Sequence, residues 1–171
     1  MASDAAYENS SGTGGFLLAM DDASWRTRSG KVVRVQDSWY NGWQQRETYI
    51  AQLELAMVLV ALLVEAEKFR GRCGVWFIDN IAALHALCNG DSHQEDLNAM
   101  AEAIHAITFS HRCSIYYEWI ESEANWADGV SRYGRHDDWL RRHNFEVHDC
   151  TAPGLALRLP LRASMTLARF M

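Results

Sequence analysis

Apolar, β-branched and aromatic residues in the first third of the chain recur in short runs that are typical of strands. The pattern predicts strands at Phe16–Met20 and Lys31–Trp39, with a connection over Asp21–Gly30 between them. The glycine-rich residues 12–15 predict a turn before the first of these strands. An earlier strand is expected at or before Asp4, so the N-terminal part of the chain is predicted to be rich in β-structure.

Beyond this region the apolar spacing changes to that of a helix. Over Glu47–Arg70 apolar residues cover most of the helical circumference, which predicts a long buried helix that Gly71 ends. The continuous apolar run Gly74–Ile78 is expected to be a central strand. The remaining pattern predicts, in order, a helix at about Ile81–Cys88 capped by Asn80, a helix from the capping-box sequence Ser92–Glu95 to about His111, a strand at Ser114–Ile120, and a helix at about Trp126–His143 capped by Asn125.

This order of strands and helices predicts an α/β fold in one domain, which we place at residues 1–144. A chain of 171 residues, with 49% hydrophobic and 22% charged residues, can bury one such core. Residues 145–171 are apolar and basic without a clear period, so we treat them as a C-terminal extension without predicted structure.

Several features indicate an intracellular protein, cytoplasmic or nuclear, that does not enter a membrane. Residues 1–15 are small and polar, unlike a secretory signal. The most apolar run, Leu53–Val64, has 12 residues and contains Glu54, so it is too short and too polar to span a bilayer. The four cysteines lack metal-ligand spacing and are too few for a disulfide scaffold, so we expect reduced thiols.

The net charge of −6 argues against a domain that binds nucleic acid simply through a basic face. The charge is compatible with a site built from carboxylates, because such a site makes a domain acidic and bound cations offset that charge locally. The positions of the acidic residues therefore matter more than their number.

Four acidic residues stand out, although each has an ordinary alternative. Glu54 lies inside an apolar helix with no basic residue one turn away, yet it could pair with a distant lysine or arginine, or reach solvent. Asp79 ends the predicted central strand, where ligand sites gather in open α/β sheets, and it could equally be an acid at a helix N-terminus. Asp128 could complete a capping box with Asn125, and Asp4 could be a plain surface residue.

Together the four carboxylates make a stronger hypothesis than each alone, because they could converge at one edge of the sheet. Clustered carboxylates raise one another's pKa unless cations neutralise them. Oxygen ligands suit Mg²⁺ or Mn²⁺ rather than Zn²⁺. The chemistry that uses such a site is in-line phosphoryl transfer with two metal ions about 4 Å apart.

Five segments, in this order, resemble the ribonuclease H domain that accompanies reverse transcriptase in retroelements. They are Asp4-Ala5-Ala6, the glycine-rich hairpin, Gln52-Leu53-Glu54-Leu55, Phe77-Ile78-Asp79-Asn80, and the run from Asn125 to Arg132, which fits the pattern Asn-x-Ala-Asp-x-x-Ser-Arg. The resemblance covers residues 2–135. It implies a ribonuclease H-like fold, with a five-stranded mixed sheet whose first three strands are antiparallel and which is flanked by helices.

The resemblance also implies a metal-dependent endonuclease that hydrolyses the RNA strand of an RNA–DNA hybrid with two Mg²⁺ or Mn²⁺ ions. Asp4, Glu54, Asp79 and Asp128 would be the catalytic, metal-binding carboxylates. Asp4 would lie between both ions, Glu54 and Asp79 would hold the ion on the leaving-group side, and Asp128 would help hold the ion that activates water. A reverse transcriptase domain would be the covalently linked partner.

Substrate contacts are expected from side chains around these motifs. They are Asn80, Gln52, Asn125 and Arg132, together with Trp43 and Arg46 from the loop before the buried helix. Two departures from the family pattern leave alternatives open: the segment Glu121–Ala127 lacks the histidine that many members carry there, and the positions before Glu54 are mostly apolar. The alternatives are a catalytically inactive domain that supports a polymerase or binds nucleic acid, and a DNA-directed nuclease of the same superfold.

Overall fold

A mixed sheet of six strands organises the fold in the computed structural model, which describes residues 1–22, 25–90 and 92–151. The strands are β1 Ala2–Glu8, β2 Ser11–Asp22, β3 Trp25–Arg34, β4 Cys73–Ile78, β5 Ser114–Trp119 and β6 Glu146–Cys150. Their order across the sheet is β5-β4-β1-β2-β3-β6. Strands β1 to β3 pair antiparallel, β4 pairs parallel with β1 and β5, and β6 pairs parallel with β3. The predicted α/β class is confirmed, with one strand more than the five expected.

Helices lie on both faces of this sheet. They are α1 Ile50–Val64, α2 Ala66–Phe69, α3 Ile81–Asn89, α4 Glu95–Ser110, α5 Asp128–Tyr133 and α6 Asp138–Arg142, with 3-10 turns at Asp37–Gly42, Ser122–Ala124 and Gly134–His136. Helix α1 packs against β1 and β2 on one face and contacts α3 and α4. Helix α5 packs against β1, β2 and β3 on the other face.

The glycine-rich residues lie within β2 and not in the turn that the sequence predicted. The β1–β2 hairpin turns at residues 9–10, where both φ angles are positive, at 50° and 62°, as a tight two-residue turn requires. Helices approach β2 closely from both faces, because a Cβ on Gly14 would lie 2.8 Å from Cγ of Met57 in α1, and one on Gly15 would collide with Val130 in α5. These glycines therefore permit close packing and do not bend the chain.

The long helix expected over Glu47–Arg70 is confirmed in its centre and is shorter at its ends. Helix α1 spans Ile50–Val64, and Glu65 separates it from α2. Eleven consecutive residues, Gln52–Leu62, are buried. This burial agrees with a helix that is apolar around most of its circumference, and it places α1 in the centre of the core.

Two other predicted elements begin or end elsewhere. Strand β3 spans Trp25–Arg34, so the predicted connection over Asp21–Gly30 is wrong for most of its length. Trp39 lies in a 3-10 turn and not at the end of a strand. Helix α4 begins at Glu95, but Ser92 does not cap it as a capping box would. The Ser92 hydroxyl instead exchanges hydrogen bonds with the backbone of Gln94, both at 3.1 Å.

The helix predicted over Trp126–His143 is divided into α5, a 3-10 turn and α6. Gly134 follows α5 with a φ of 60° and a ψ of −141°, a non-helical conformation that favours glycine and ends the helix. The carboxylate of Asp137 then caps α6 by accepting a hydrogen bond from the backbone N–H of Trp139 at 3.1 Å.

The segment 145–171, which had no predicted structure, contributes β6 to the sheet. The sheet therefore continues past residue 144, where we placed the end of the domain, to Cys150. Residues 152–171 lie outside the described residues. No helix within the described residues is long and apolar enough to cross a membrane. All four cysteines are free.

Candidate metal centre

Three of the four predicted carboxylates meet in the structure. One carboxylate oxygen each from Asp4, Glu54 and Asp79 lies within 4.8 Å of the other two. Asp4 comes from β1, Glu54 from the middle of α1, and Asp79 directly follows β4. The convergence arises because β1 and β4 are neighbouring parallel strands and α1 packs against β1.

The end of β4 creates a gap in the sheet that two side chains fill. Strand β1 pairs with β4 only at Ala2, so the later backbone groups on that edge of β1 have no strand partner. The N–H of Ala5 donates to Oε1 of Glu54 at 2.9 Å, and the carbonyl of Ser3 accepts from Nδ2 of Asn125 at 2.9 Å. A carboxylate thus replaces a strand at this edge, because a buried backbone donor needs a partner.

Glu54 is the most deeply buried member of the group, with 1% of its surface exposed. Its Oε1 is bound to Ala5, whereas Oε2 is buried and has no hydrogen-bond partner within the described residues. Burial raises the pKa of Glu54 well above its usual range, and the charges of Asp4 and Asp79 raise it further. An ionised Glu54 therefore needs a positive charge beside Oε2.

Asp4 is also buried among these carboxylates, but a hydrogen bond and a nearby positive charge stabilise its ionised form. It is 5% exposed, and the Ser131 hydroxyl donates to its Oδ2. Burial is the main reason that the pKa of Asp4 rises to about 6, and the charges of Asp79 and Asp128 add to the rise. The Ser131 hydrogen bond and the positive charge of Arg132 lower this pKa in part.

The donor set fits a hard divalent cation. Three carboxylates offer oxygen ligands within a small space, and one buried oxygen has no hydrogen-bond partner in the part of the chain that the structure describes. Oxygen ligands of this kind suit Mg²⁺ and Mn²⁺. A double positive charge would also remove the repulsion that raises the pKa values of Asp4 and Glu54.

Asp128 lies beside this group without belonging to it. It is the first residue of α5, and its Oδ1 accepts from Nε of Arg132 at 2.7 Å. Its charge nevertheless reaches Asp4 and raises the pKa of that residue. The residue Asn125 does not cap a helix here, because its Oδ1 accepts from the N–H of Ala127, which precedes α5. A part for Asp128 in metal binding stays a prediction.

The structure also places the residues that we expected to contact substrate. Asn80 caps α3 by accepting from the N–H of Ala83 at 3.0 Å. Asn125 is 4% exposed and fixes the edge of β1, whereas Arg132 is exposed beside the carboxylates. Trp43 is 9% exposed. Substrate contact by these four residues stays a prediction.

Gln52 and Arg46 are both held by Asp96, a buried carboxylate at the start of α4. Gln52 is 1% exposed and donates from Nε2 to Oδ2 of Asp96 at 3.1 Å. Arg46 donates from Nη2 to Oδ1 of Asp96 at 2.7 Å. Arg46 therefore joins the loop before α1 to α4, and Gln52 joins α1 itself to α4. Their predicted contact with substrate is untested.

Two residues of the centre and its support were missed in the sequence. Ser131 lies inside the motif from Asn125 to Arg132, three residues after Asp128, so its spacing could have indicated that it faces the same site. Asp96 gave no such signal, because an acid in the first turn of a helix is common whether or not it is buried.

Comparisons with known proteins bear on the fold. No model of a known protein family matches the sequence, and no curated protein matches it. The structure is similar to the crystal structure of RNase H1 from the halophilic archaeon Halobacterium salinarum NRC-1, with a TM-score of 0.57 and 15% sequence identity. The similarity covers 78% of this chain and 93% of the archaeal chain. It confirms the predicted ribonuclease H-like fold.

Proposed function

We propose that this chain is a metal-dependent endonuclease of the ribonuclease H type that hydrolyses the RNA strand of RNA–DNA hybrids. The observation that carries the proposal is the convergence of Asp4, Glu54 and Asp79 within 4.8 Å of one another. The similarity of the fold to RNase H1 of Halobacterium salinarum supports it. We further propose a covalently linked reverse transcriptase domain as partner, a suggestion supported by the sequence motif from Asn125 to Arg132.

Asp4, Glu54 and Asp79 would hold the metal, and Asp128 would contribute to a second ion, with Mg²⁺ or Mn²⁺ as the cation. Such ions, when bound, stabilise the developing charge on the phosphoryl group and lower the pKa of an attacking water. Asp128 would have to share its carboxylate with Arg132 or release it, because that side chain binds Oδ1 at 2.7 Å.

The chain's own residues hold the ligands in place before a cation arrives. The N–H of Ala5 fixes Glu54 and leaves Oε2 free, and the Ser131 hydroxyl fixes Asp4. The raised pKa values of Asp4 and Glu54 mean that these carboxyls retain protons more readily in the metal-free protein. Cation binding then releases those protons, so metal affinity should increase with pH.

The experiment that tests the proposal compares wild type with Asp79→Asn on labelled RNA–DNA hybrid, duplex DNA and duplex RNA in Mg²⁺ or Mn²⁺. The substitution keeps the size of the side chain and removes its charge, so we expect cleavage to be abolished while the fold is retained. Asp37→Asn removes one charge from an exposed position and is the matched control.

The three substrates separate the alternatives. Cleavage of the RNA strand in the hybrid alone, lost in Asp79→Asn and kept in Asp37→Asn, supports the proposal. Preferential cleavage of duplex DNA would identify a DNA-directed nuclease. Undiminished cleavage by Asp79→Asn would remove the carboxylate site from the reaction, and no cleavage of any substrate by wild type would favour the inactive domain.

A further inference from the structure

A cavity of about 450 Å³ lies beside the metal centre, between the ends of β2 and β3 and the segment that contains α5. We call it the basic cavity. Its polar lining includes Thr13, Arg34, Arg132, Arg135, His136 and Asp149. Three arginines and one histidine thus surround a single aspartate in this set, although the chain as a whole has a net charge of −6.

The register of the sheet places this cavity on the face that carries the Asp4 side chain. Asp4 pairs with Gly15, and Thr13 pairs with Arg34. Paired residues and residues two positions apart along a strand share one face of a sheet. Asp4, Thr13 and Arg34 therefore point to the same side, which is the side covered by α5.

Ser131 forms part of both sites. Its hydroxyl donates to Asp4, its carbonyl accepts from the Thr13 hydroxyl at 3.0 Å, and it lines the basic cavity. The metal centre and the basic cavity therefore share a wall, and one extended ligand can reach both of them.

The charges of the cavity are incompletely paired. Arg34 is exposed and has no acidic partner within the described residues. Arg135 lies 3.7 Å from Asp149 across exposed side chains, a pair that contributes little energy in water. A polyanion can therefore bind Arg34 directly and can compete with Asp149 for Arg135.

We propose that the basic cavity binds the sugar–phosphate backbone of the nucleic acid whose scissile phosphate lies at the metal centre, with Arg34 and Arg135 as phosphate contacts. Arg34 lies two strands away from β1, about 10 Å across the sheet. That distance exceeds the axial spacing of about 3.4 Å between successive charges of one duplex strand, so Arg34 would meet a different phosphate from the one at Asp4. This inference rests on the proposed function for the position of the scissile phosphate.

The test measures binding of a short fluorescent RNA–DNA hybrid by the full chain in an Asp79→Asn background, so that cleavage does not interfere. Combined Arg34→Gln and Arg135→Gln should weaken binding roughly tenfold and lower the slope of log affinity against log salt by nearly two, since each phosphate contact contributes ~0.9. Asp149→Asn should tighten binding, because it removes the anion that competes for Arg135.

The matched control combines Arg26→Gln and Arg70→Gln, two exposed arginines in ion pairs away from the cavity, with Asp21 and Glu67. It removes the same charge and should change affinity little. An equal loss of affinity in the control would show that only net charge matters, and this would overturn the inference. Unchanged binding in the cavity variant, or no binding of the hybrid by the Asp79→Asn reference protein, would also overturn it.

The inference and the proposed function can fail separately. If wild type cleaves the hybrid but its affinity for the hybrid does not depend on Arg34 and Arg135, the proposed nuclease activity is retained and the proposed role of the cavity is wrong. If hybrid binding depends on Arg34 and Arg135 but wild type cleaves none of the substrates, the role of the cavity in binding is supported and the proposed nuclease activity is wrong.

Discussion

Oε1 of Glu54 accepts a hydrogen bond from the backbone N–H of Ala5 at 2.9 Å, in the place that a residue of β4 would occupy if that strand were longer. The carboxylate is therefore part of the sheet edge as well as a candidate ligand. Its other oxygen is buried and has no partner among residues 1–22, 25–90 and 92–151, so ionisation of this carboxyl is costly until a cation binds.

That cost predicts the effect of Glu54→Gln. The amide oxygen can still accept from Ala5, and the amide nitrogen can donate to Asp4, but the charge is gone. We expect loss of cleavage and, near pH 8 without divalent ions, a gain of roughly 1 kcal/mol, or about 2–4 °C in Tm. Thermal melting and hybrid cleavage measure the two effects. Glu102→Gln on the exposed side of α4 is the control and should change neither.

The raised pKa values predict that the metal-free protein becomes more stable on acidification. Asp4 has a pKa of about 6 in the folded protein against 3.8 for the free side chain. Burial also raises the pKa of Glu54 well above its usual range. The folded state therefore binds more protons than the unfolded state in this range, so the free energy of unfolding falls as pH rises.

For Asp4 the window runs from 3.8 to about 6, and the shift corresponds to at most about 3 kcal/mol. We expect the Tm in a chelator to increase between about pH 7 and pH 5. The control is Glu54→Gln, which should show a smaller increase. A Tm that falls steadily over this range in wild type and variant alike would contradict the electrostatic account of the centre.

Divalent cations should remove this pH dependence. A cation that binds the folded state alone adds stability that grows with the ratio of its concentration to its dissociation constant, about 2.7 kcal/mol at a hundredfold ratio. We expect Mg²⁺ and Mn²⁺ to raise the Tm of wild type at neutral pH and to raise that of Asp79→Asn less. NaCl of equal ionic strength serves as the control, and equal effects of NaCl and Mg²⁺ would indicate simple screening.

The sequence could predict this fold where the local pattern is strong. Glu54 is flanked by apolar residues in the sequence, and Asp79 follows a continuous apolar strand. Both could therefore be identified as candidate metal ligands. Strand β6 could not be found, because Glu146–Cys150 is short and largely polar, and only its pairing with β3 makes it a strand.

The contacts that hold the metal-binding side chains in place could not be predicted, because they join distant parts of the chain. The bond from Ala5 to Glu54 exists only because β4 stops at Ile78, and that requires the register of two strands. The contact between Ser131 and Asp4 joins residues 127 positions apart. Similarly, nothing in the local sequence distinguishes the buried Asp96 from an exposed acid at a helix start.

Asp96 is expected to stabilise the loop before α1 and to take no part in catalysis. Its carboxylate accepts from the N–H of Gln44 at 3.1 Å, from Gln52 and from Arg46, whose side chain is 21% exposed. Asp96→Asn removes the charge opposite Arg46 and should cost about 2 kcal/mol in chemical denaturation. Stabilisation by Mg²⁺ should persist, because the metal ligands are untouched. Asp37→Asn, at an exposed position, should cost little.

Gly15 determines how closely α5 approaches the metal centre. A Cβ at this position would collide with Val130 of α5 and lie 2.8 Å from the carbonyl oxygen of Lys31, a backbone atom that cannot move without disturbing the sheet. Gly15→Ala should therefore destabilise the protein by about 1–3 kcal/mol and displace α5 from the sheet. Because Ser131 lies on α5 and Gly15 pairs with Asp4, the same substitution should weaken stabilisation by Mg²⁺.

The control for Gly15→Ala is Gly74→Ala on β4. A Cβ on Gly74 would meet only the end of the flexible Met1 side chain, at 2.7 Å, which can rotate away. We expect a change in unfolding free energy within about 0.5 kcal/mol and normal stabilisation by Mg²⁺. Equal behaviour of the two variants in denaturation and in Mg²⁺ titration would contradict a specific contact between β2 and α5. If only Gly15→Ala loses stability and stabilisation by Mg²⁺, the close packing of α5 against β2 is needed to keep Asp4 in place at the metal centre.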